Sequence, residues 1–315
     1  MVALGGAGEP AAQLDDAREV QSRGAELHRA GDLQGALREF DRVVQLAPHS
    51  PLAWYNRGLV RRDLKDCRNA LGDFSRALEL EPALFNALYQ RGNCRQVLGE
   101  YPAAVDDYTR AAALPGQIHA RFLAYYARGD ALRRMGRLAE AHADYTRVIE
   151  LRIDTTALRQ RAWVSFYAGR WRAAYADMAR YMHDTEGKEP DAAYAVVLGA
   201  LALRLAGDDG AKFIAQWESR LKADAWPAPV LRFLRREIGE SELLEKAGNP
   251  GQRTEALAYV GASLLAAGQR SRGLETLARV LREGDPSVLE YDLAYHELRR
   301  AGLAKPADRR ERKAD

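Results

Sequence analysis

The sequence predicts an all-α protein, a right-handed superhelical solenoid of short paired helices closed by a capping C-terminal helix. Three observations carry this. Alanine, leucine and arginine dominate, a mixture of strong helix formers. The alternating Val/Ile-rich runs that mark sheet are missing. Small residues also recur at a fixed interval, with Gly24, Gly58 and Gly92 evenly spaced and Gly129 following slightly late.

Other slots keep the same register. A fixed step beyond each glycine stands an alanine, at Ala36, Ala70, Ala104 and Ala141. One helical turn further on comes an aromatic, at Phe40, Phe74, Tyr108 and Tyr145. Pro48 and Pro82 close the first two units, and Pro115 closes the third one place early. The pattern is steric in origin. Glycine and alanine sit where two antiparallel helices cross, the aromatic fills the gap to the next unit, and proline ends the second helix. Turns between paired helices are read at Gly31-Asp32, Gly99-Glu100, Gly136-Arg137 and Gly169-Arg170.

This arrangement resembles the tetratricopeptide-repeat (TPR) family, whose unit of ~34 residues follows W-x2-L-G-x2-Y…A-x3-F…P. The clearest copy begins Ala53-Trp54-Tyr55-Asn56-Arg57-Gly58 and ends Ala77-Leu78-Glu79-Leu80-Glu81-Pro82. Units are placed at about 17–50, 51–84, 85–118, 122–154 and 155–188, the fourth with a short insertion near His119. The chain thus divides into a disordered start (1–14), an array of about five helix pairs (15–190) and degenerate pairs around a Trp226-Pro227 corner (191–253). A last repeat with the capping helix (254–302) and a flexible tail (303–315) complete it.

In the degenerate part, helices are expected over Tyr194 to Ala206, Ala211 to Lys222, Val230 to Arg236 and Ser241 to Ala247. Thr254 to Ser287 forms the last repeat, with Gly261, Gly268, Gly273, Leu277 and Val280 at its slots. Val288 to Arg300 reads as an amphipathic helix, apolar at Leu289, Leu293 and Leu298.

The later half is similar to NlpI-type TPR lipoproteins of the bacterial envelope. The shared stretches are Trp226-Pro227 with Leu231-Arg232-Phe233-Leu234, and Glu237-Ile238-Gly239-Glu240-Ser241-Glu242-Leu243-Leu244. Glu255-Ala256, Tyr259-Val260-Gly261, Glu290-Tyr291 and Glu297-Leu298 continue the likeness. The resemblance implies an adaptor that holds envelope proteases or cell-wall hydrolases, with a homodimer as its assembly. Such lipoproteins carry a cysteine after a signal sequence, a place neither Cys67 nor Cys94 takes. The alternative is a cytoplasmic TPR scaffold or regulator of an unrelated assembly.

Composition excludes several classes. The net charge is only +3, from 47 Lys and Arg against 44 Asp and Glu, without the concentrated basic face nucleic acid demands. The basic tail, Arg309, Arg310, Arg312 and Lys313, is interrupted by Glu311 and reads as a solvating end. No stretch approaches the ~18 apolar residues a membrane span requires. Met1 to Pro10 has neither a basic n-region nor an apolar core. The location read is therefore cytoplasmic as the sequence stands, and periplasmic or outer-membrane-associated if a lipoprotein signal has been trimmed.

No metal-ligand spacing, cofactor motif or catalytic constellation is present, so no enzyme is expected. His296-Glu297 lacks the second histidine of a zinc-protease helix, and Arg128-Gly129-Asp130 lies inside a helix. Cys67 should start one helix and Cys94 lie within the next, which favours two buried thiols over a bridge.

What remains is binding of proteins or peptides. In a TPR superhelix the first helix of each pair lines a concave groove, and the residues one past the tryptophan slot face it: Gln21, Tyr55, Tyr89, Tyr126 and Arg159. Tyr55, Tyr89 and Tyr126 form a ladder flanked by Asn56, Arg62, Asn93, Asp130 and Arg133. Tyrosine offers large contact area at low entropic cost with a hydrogen-bonding tip. Tyrosine at this slot also occurs simply as packing, and arginine near a helix end favours the macrodipole, so both readings stand. Of the carboxylate clamp of chaperone-associated TPR domains only Asn56 fits. Gln21, Ala25, Asn86 and Gln90 occupy the other slots, which argues against an acidic chaperone tail.

Overall fold

The computed structural model describes residues 11–115, 118–151, 155–221 and 225–305, without the side chains of residues 11–14. Among these residues are seventeen α-helices, one 3-10 turn and no strand. The sequence readings for residues 1–10 and for Arg309, Arg310, Arg312 and Lys313 lie outside the described residues. The chain forms two compact units, Met1–Gly136 and Arg137–Asp315.

The first unit contains α1 (Ala11–Arg29), α2 (Leu33–Leu46), α3 (Pro51–Asp63), α4 (Cys67–Leu80), α5 (Phe85–Val97), α6 (Tyr101–Ala113) and α7 (Ile118–Arg134). Each helix packs on its sequence neighbours, as repeat pairs must when no single pair can bury its apolar face alone. In addition α3 reaches α5 and α5 reaches α7, so the first helices of successive pairs make an inner row. The insertion near His119 does not form a loop; it lengthens α7 to 17 residues against 13 in α3 and α5.

The register expected from the glycines follows from packing. A Cβ built on Gly58 would lie 2.7 Å from the Phe74 ring, and one on Gly92 2.6 Å from that of Tyr108. Both separations are too short for real carbon contacts, so the slots admit only hydrogen. Between α1 and α2 and between α5 and α6 the chain turns on glycines with positive φ, Gly31 at 82° and Gly99 at 78°. Between α3 and α4 a lysine, Lys65, takes the same left-handed conformation at φ 65°. Asp32 and Asp66 then accept hydrogen bonds from the backbone N–H groups of Gly35 and Asn69, capping α2 and α4.

The second unit contains α8 (Leu138–Glu150), α9 (Thr156–Tyr167), α10 (Trp171–Asp184), α11 (Ala192–Leu205), α12 (Ala211–Trp217), α13 (Ala228–Leu234), α14 (Glu240–Glu245), α15 (Pro250–Ala266), α16 (Arg270–Glu283) and α17 (Leu289–Arg300). The helix expected to run from Ala211 to Lys222 stops at Trp217 and gives way to a 3-10 turn over Glu218–Arg220. Lys222 lies outside the described residues. The Trp226-Pro227 peptide at the corner is cis.

The final helix differs most from its expectation. Its sequence reads as amphipathic, yet Glu290, Asp292, His296 and Glu297 are buried along with Tyr291, Leu293 and Leu298. The reason is its position: α17 lies against α9, α15 and α16, so neighbours cover both its apolar and its polar faces. Some of its groups meet partners distant in sequence, while Glu297 pairs with Arg300 of the same helix at 2.6 Å. Tyr259 Oη donates to the Glu290 carboxylate. Tyr167 Oη donates to the Leu289 carbonyl at 3.0 Å, its ring stacks on His296 at 4.9 Å, and its carbonyl accepts from Arg300 at 2.9 Å. Buried polar groups are stable only when satisfied in this way.

Candidate functional site

Of the residues singled out for binding, Tyr55, Asn56 and Arg62 lie on α3, Tyr89 and Asn93 on α5, and Tyr126, Asp130 and Arg133 on α7, all in the first unit. Gln21 lies on α1, and Arg159 falls on α9 of the second unit, bound to Asp191. Tyr55, half-buried on α3, packs its ring 6.0 Å from Phe74. Tyr89 on α5 stacks on Phe85 at 5.9 Å and tilts against Tyr108 at 5.9 Å. Tyr126 on α7 lies 6.1 Å from Phe122. Each ladder tyrosine therefore has one side anchored on its own repeat and stays partly exposed, a rigid platform that costs a ligand little ordering.

Charges and amides tie the rungs together. Burial pushes the hydroxyls of both Tyr55 and Tyr89 up from the usual phenol value, and the nearby Arg62 guanidinium pulls each back. Asn93 hydrogen-bonds Tyr89, while the Asp130 carboxylate adds to its upward shift. Arg62, Tyr89, Asn93 and Asp130 thus share one electrostatic neighbourhood although they come from three different helices. Arg62 is held by Asp63 at 2.7 Å. That same carboxylate accepts from His28 at 2.8 Å. Burial alone would raise the Asp63 carboxyl, but Arg62 and His28 hold it below the usual value.

The remaining residues are placed less uniformly. Asn56 is half-buried on α3 and has no hydrogen bond among the described residues, so its amide can serve a ligand. Arg133 is buried, 4% exposed, and its guanidinium turns to Asp130 at 3.5 Å. Its role in this unit is to orient Asp130 rather than to present a free charge.

Two groups escape the sequence reading. The repeat register makes Tyr108 an interhelix filler, but its hydroxyl donates to Asn93 Oδ1 at 2.7 Å and so enters the polar cluster. The signal was its hydroxyl, since Phe74 in the equivalent slot has none. The second is a framework of ion pairs beneath the face. Arg57 pairs with Asp73 at 2.7 Å and also reaches Asp41 at 2.9 Å in the preceding helix pair. Arg91 pairs with Asp107 at 2.6 Å and reaches back to Ser75 at 3.1 Å. Asp73 and Asp107 are almost wholly buried, and each gains a second arginine, Arg61 and Arg95. In the second unit Arg161 pairs with Asp177 at 2.6 Å and reaches Thr146 at 3.1 Å. An arginine before the small-residue slot, matched by an aspartate at one constant interval in the next helix, is legible in the sequence at all three places. The planar guanidinium, with several donors in a fixed fork, can clamp three helices at once.

Cys67 and Cys94 are free and buried, and they neighbour each other. Burial, and then the adjacent Cys67, push the Cys94 thiol well up, so it is no reactive thiolate. No described helix is long and apolar enough to cross a membrane.

The tetratricopeptide-repeat family profile matches residues 122–154, the stretch placed as the fourth unit. The fold is a tetratricopeptide-repeat array. Similar solved structures include a tetratricopeptide repeat protein from Parabacteroides merdae, with TM-score 0.55 and 15% identity over 90% of this chain and 99% of that one. The pilF protein of Pseudomonas aeruginosa is similar at TM-score 0.56 and 16% identity, covering 71% and 99%. MamA from Desulfovibrio magneticus is similar at TM-score 0.51 and 20% identity, covering 56% and 98%. At these identities the likeness is one of fold. No curated protein sequence matches the chain.

Proposed function

We propose that the protein is a non-catalytic scaffold that holds a partner polypeptide against the inner row of its first unit. One observation carries this reading: Tyr55, Tyr89 and Tyr126 stand on three successive first helices, each braced from behind and each partly exposed. An extended or helical guest would lay successive side chains along this row. The amides of Asn56 and Gln90 and the charges of Arg62 and Asp130 would meet its polar groups. Tyr89→Ala combined with Tyr126→Ala should weaken partner binding by about tenfold or more while the helical circular dichroism spectrum is kept. Unchanged affinity would move the site to another face.

For the partner, the tail resemblance supports an envelope adaptor of NlpI type that tethers a processing protease or cell-wall hydrolase. A pull-down from bacterial envelope extract should then recover such an enzyme; recovering none counts against this partner class. Fractionation of cells bearing the native gene separates it from a cytoplasmic scaffold, because export removes the latter.

A further inference from the structure

A cleft of about 260 Å³ lies within the second unit, bounded by α9, α10, α11, α15 and the first turn of α17. Its walls are apolar where Trp163, Met178 and Leu289 meet. Two carboxyl groups, Glu255 and Glu290, line it as well, and both are more than nine-tenths buried. Among the described residues Glu255 takes hydrogen bonds only from neutral donors, the indole N–H of Trp226 at 2.6 Å and the hydroxyl of Tyr194. Among the described residues no lysine, arginine or histidine lies within ion-pair reach of it. The one cation on the lining, Arg159, is bound to Asp191 and sits over the Tyr181 ring at 5.8 Å. A buried carboxylate without a counter-cation is costly, and burial duly pushes the Glu255 carboxyl up against the pull of its two donors.

We propose that this cleft receives one long cationic side chain, a lysine or arginine, from a bound polypeptide. The charge balance selects the sign, since three carboxyl groups face one guanidinium already engaged. The volume selects the size: it falls below the roughly 300–1,000 Å³ of sites for drug-sized ligands, and fits a single side chain. The shape selects the class, because an unbranched methylene stem lies along Trp163, Met178 and Leu289 while its head reaches Glu255. The Trp163 ring adds cation–π attraction to either head group. The site belongs to the second unit and stands independently of the tyrosine face.

The pH dependence has a defined sign. A carboxyl whose folded value is raised destabilises the fold as pH climbs through that value, and a bound cation relieves this by pairing with the ionised form. The groups facing Glu255 are Tyr194 on α11, Trp226 at the corner, and Glu290 on α17, with Arg159 and Asp191 across the cleft. Glu290 carries its own Tyr259 hydrogen bond.

The test uses the full chain with n-butylammonium and n-propylguanidinium as probes and n-butanol as the neutral control. Either cation should shift the Trp226 indole N–H resonance saturably and raise the melting temperature, more at mildly alkaline than at mildly acid pH. Which cation binds more tightly assigns lysine or arginine. Glu255→Gln should weaken binding by about tenfold, and Ala195→Leu, which fills the cleft but keeps the carboxyl, should abolish it. The double variant Tyr89→Ala and Tyr126→Ala should bind the probes normally. Shifts by butanol equal to those of the cations, or undiminished cation binding in folded Glu255→Gln, would overturn the proposal.

Discussion

In the first unit the inner row of helices presents half-buried tyrosines, Tyr55, Tyr89 and Tyr126. In the second unit, first helices built to the same repeat pattern are covered by α17, the last helix among the described residues. The packing rules are shared: small residues at the crossings, a bulky side chain from the partner helix against them, and, in both units, an arginine–aspartate clamp, Arg91–Asp107 in the first and Arg161–Asp177 in the second. What differs is the occupant. The second unit shows what a helix looks like when seated against such a row, with polar as well as apolar side chains met by the array. A groove of this kind can therefore satisfy a guest on more than its oily face.

The largest test of this contrast removes the occupant's main anchor. Tyr291 is 1% exposed, and Tyr291→Ala should cost about 3–5 kcal/mol through loss of burial and the cavity left behind. Segment-resolved hydrogen exchange should show the loss in α15 to α17 while α3 to α6 keep their protection. Equal loss in both units would mean that α17 is no special element of the second.

The arginine clamps sharpen the comparison. Asp107 keeps Arg95 when Arg91 is removed, whereas Asp177 is paired, among the described residues, with Arg161 alone. The position equivalent to Arg95 in the second unit is Ser165, whose buried hydroxyl has no hydrogen-bond partner among the described residues. Arg161→Ala should thus cost about 3 kcal/mol by stranding a buried carboxylate, and Arg91→Ala roughly half that. Chemical denaturation of both variants checks the order, and the reverse order would contradict the paired-arginine account.

The smallest effect is a gain. Lys65 occupies the left-handed turn position that glycine holds at Gly31 and Gly99. Lys65→Gly should stabilise the first unit by up to ~1 kcal/mol, the relief of a side chain in that region less the added freedom of the unfolded chain. Thermal unfolding followed by circular dichroism reads the difference. A destabilised variant would show that Lys65 makes a contact worth more than its strain.

These cases also explain what could be read in advance. The repeat register was visible because its constraints are local and periodic: Gly92 must be small since the Tyr108 ring comes from the other helix of the same pair. The positions of the tyrosine ladder followed from that register. The course of α17 was not visible, because Glu290, Asp292, His296 and Glu297 look like a solvated face. Glu290 is buried against Tyr259 and His296 against Tyr167, residues whose nearness comes from the tertiary fold alone. The cleft at Glu255 was missed for the same reason, its walls coming from five helices. The arginine clamps were in the sequence, but their interval crosses the turn between two helices and matches no helical period.

The account's central claim is that the inner row of the first unit is where a partner lies. A photo-reactive phenylalanine analogue placed at Tyr89, and separately at Arg76 on α4, tests it most directly in the presence of a captured partner. Cross-linking from position 89 with little from position 76 is the result expected. Cross-linking from 76 with none from 89 would contradict the claim.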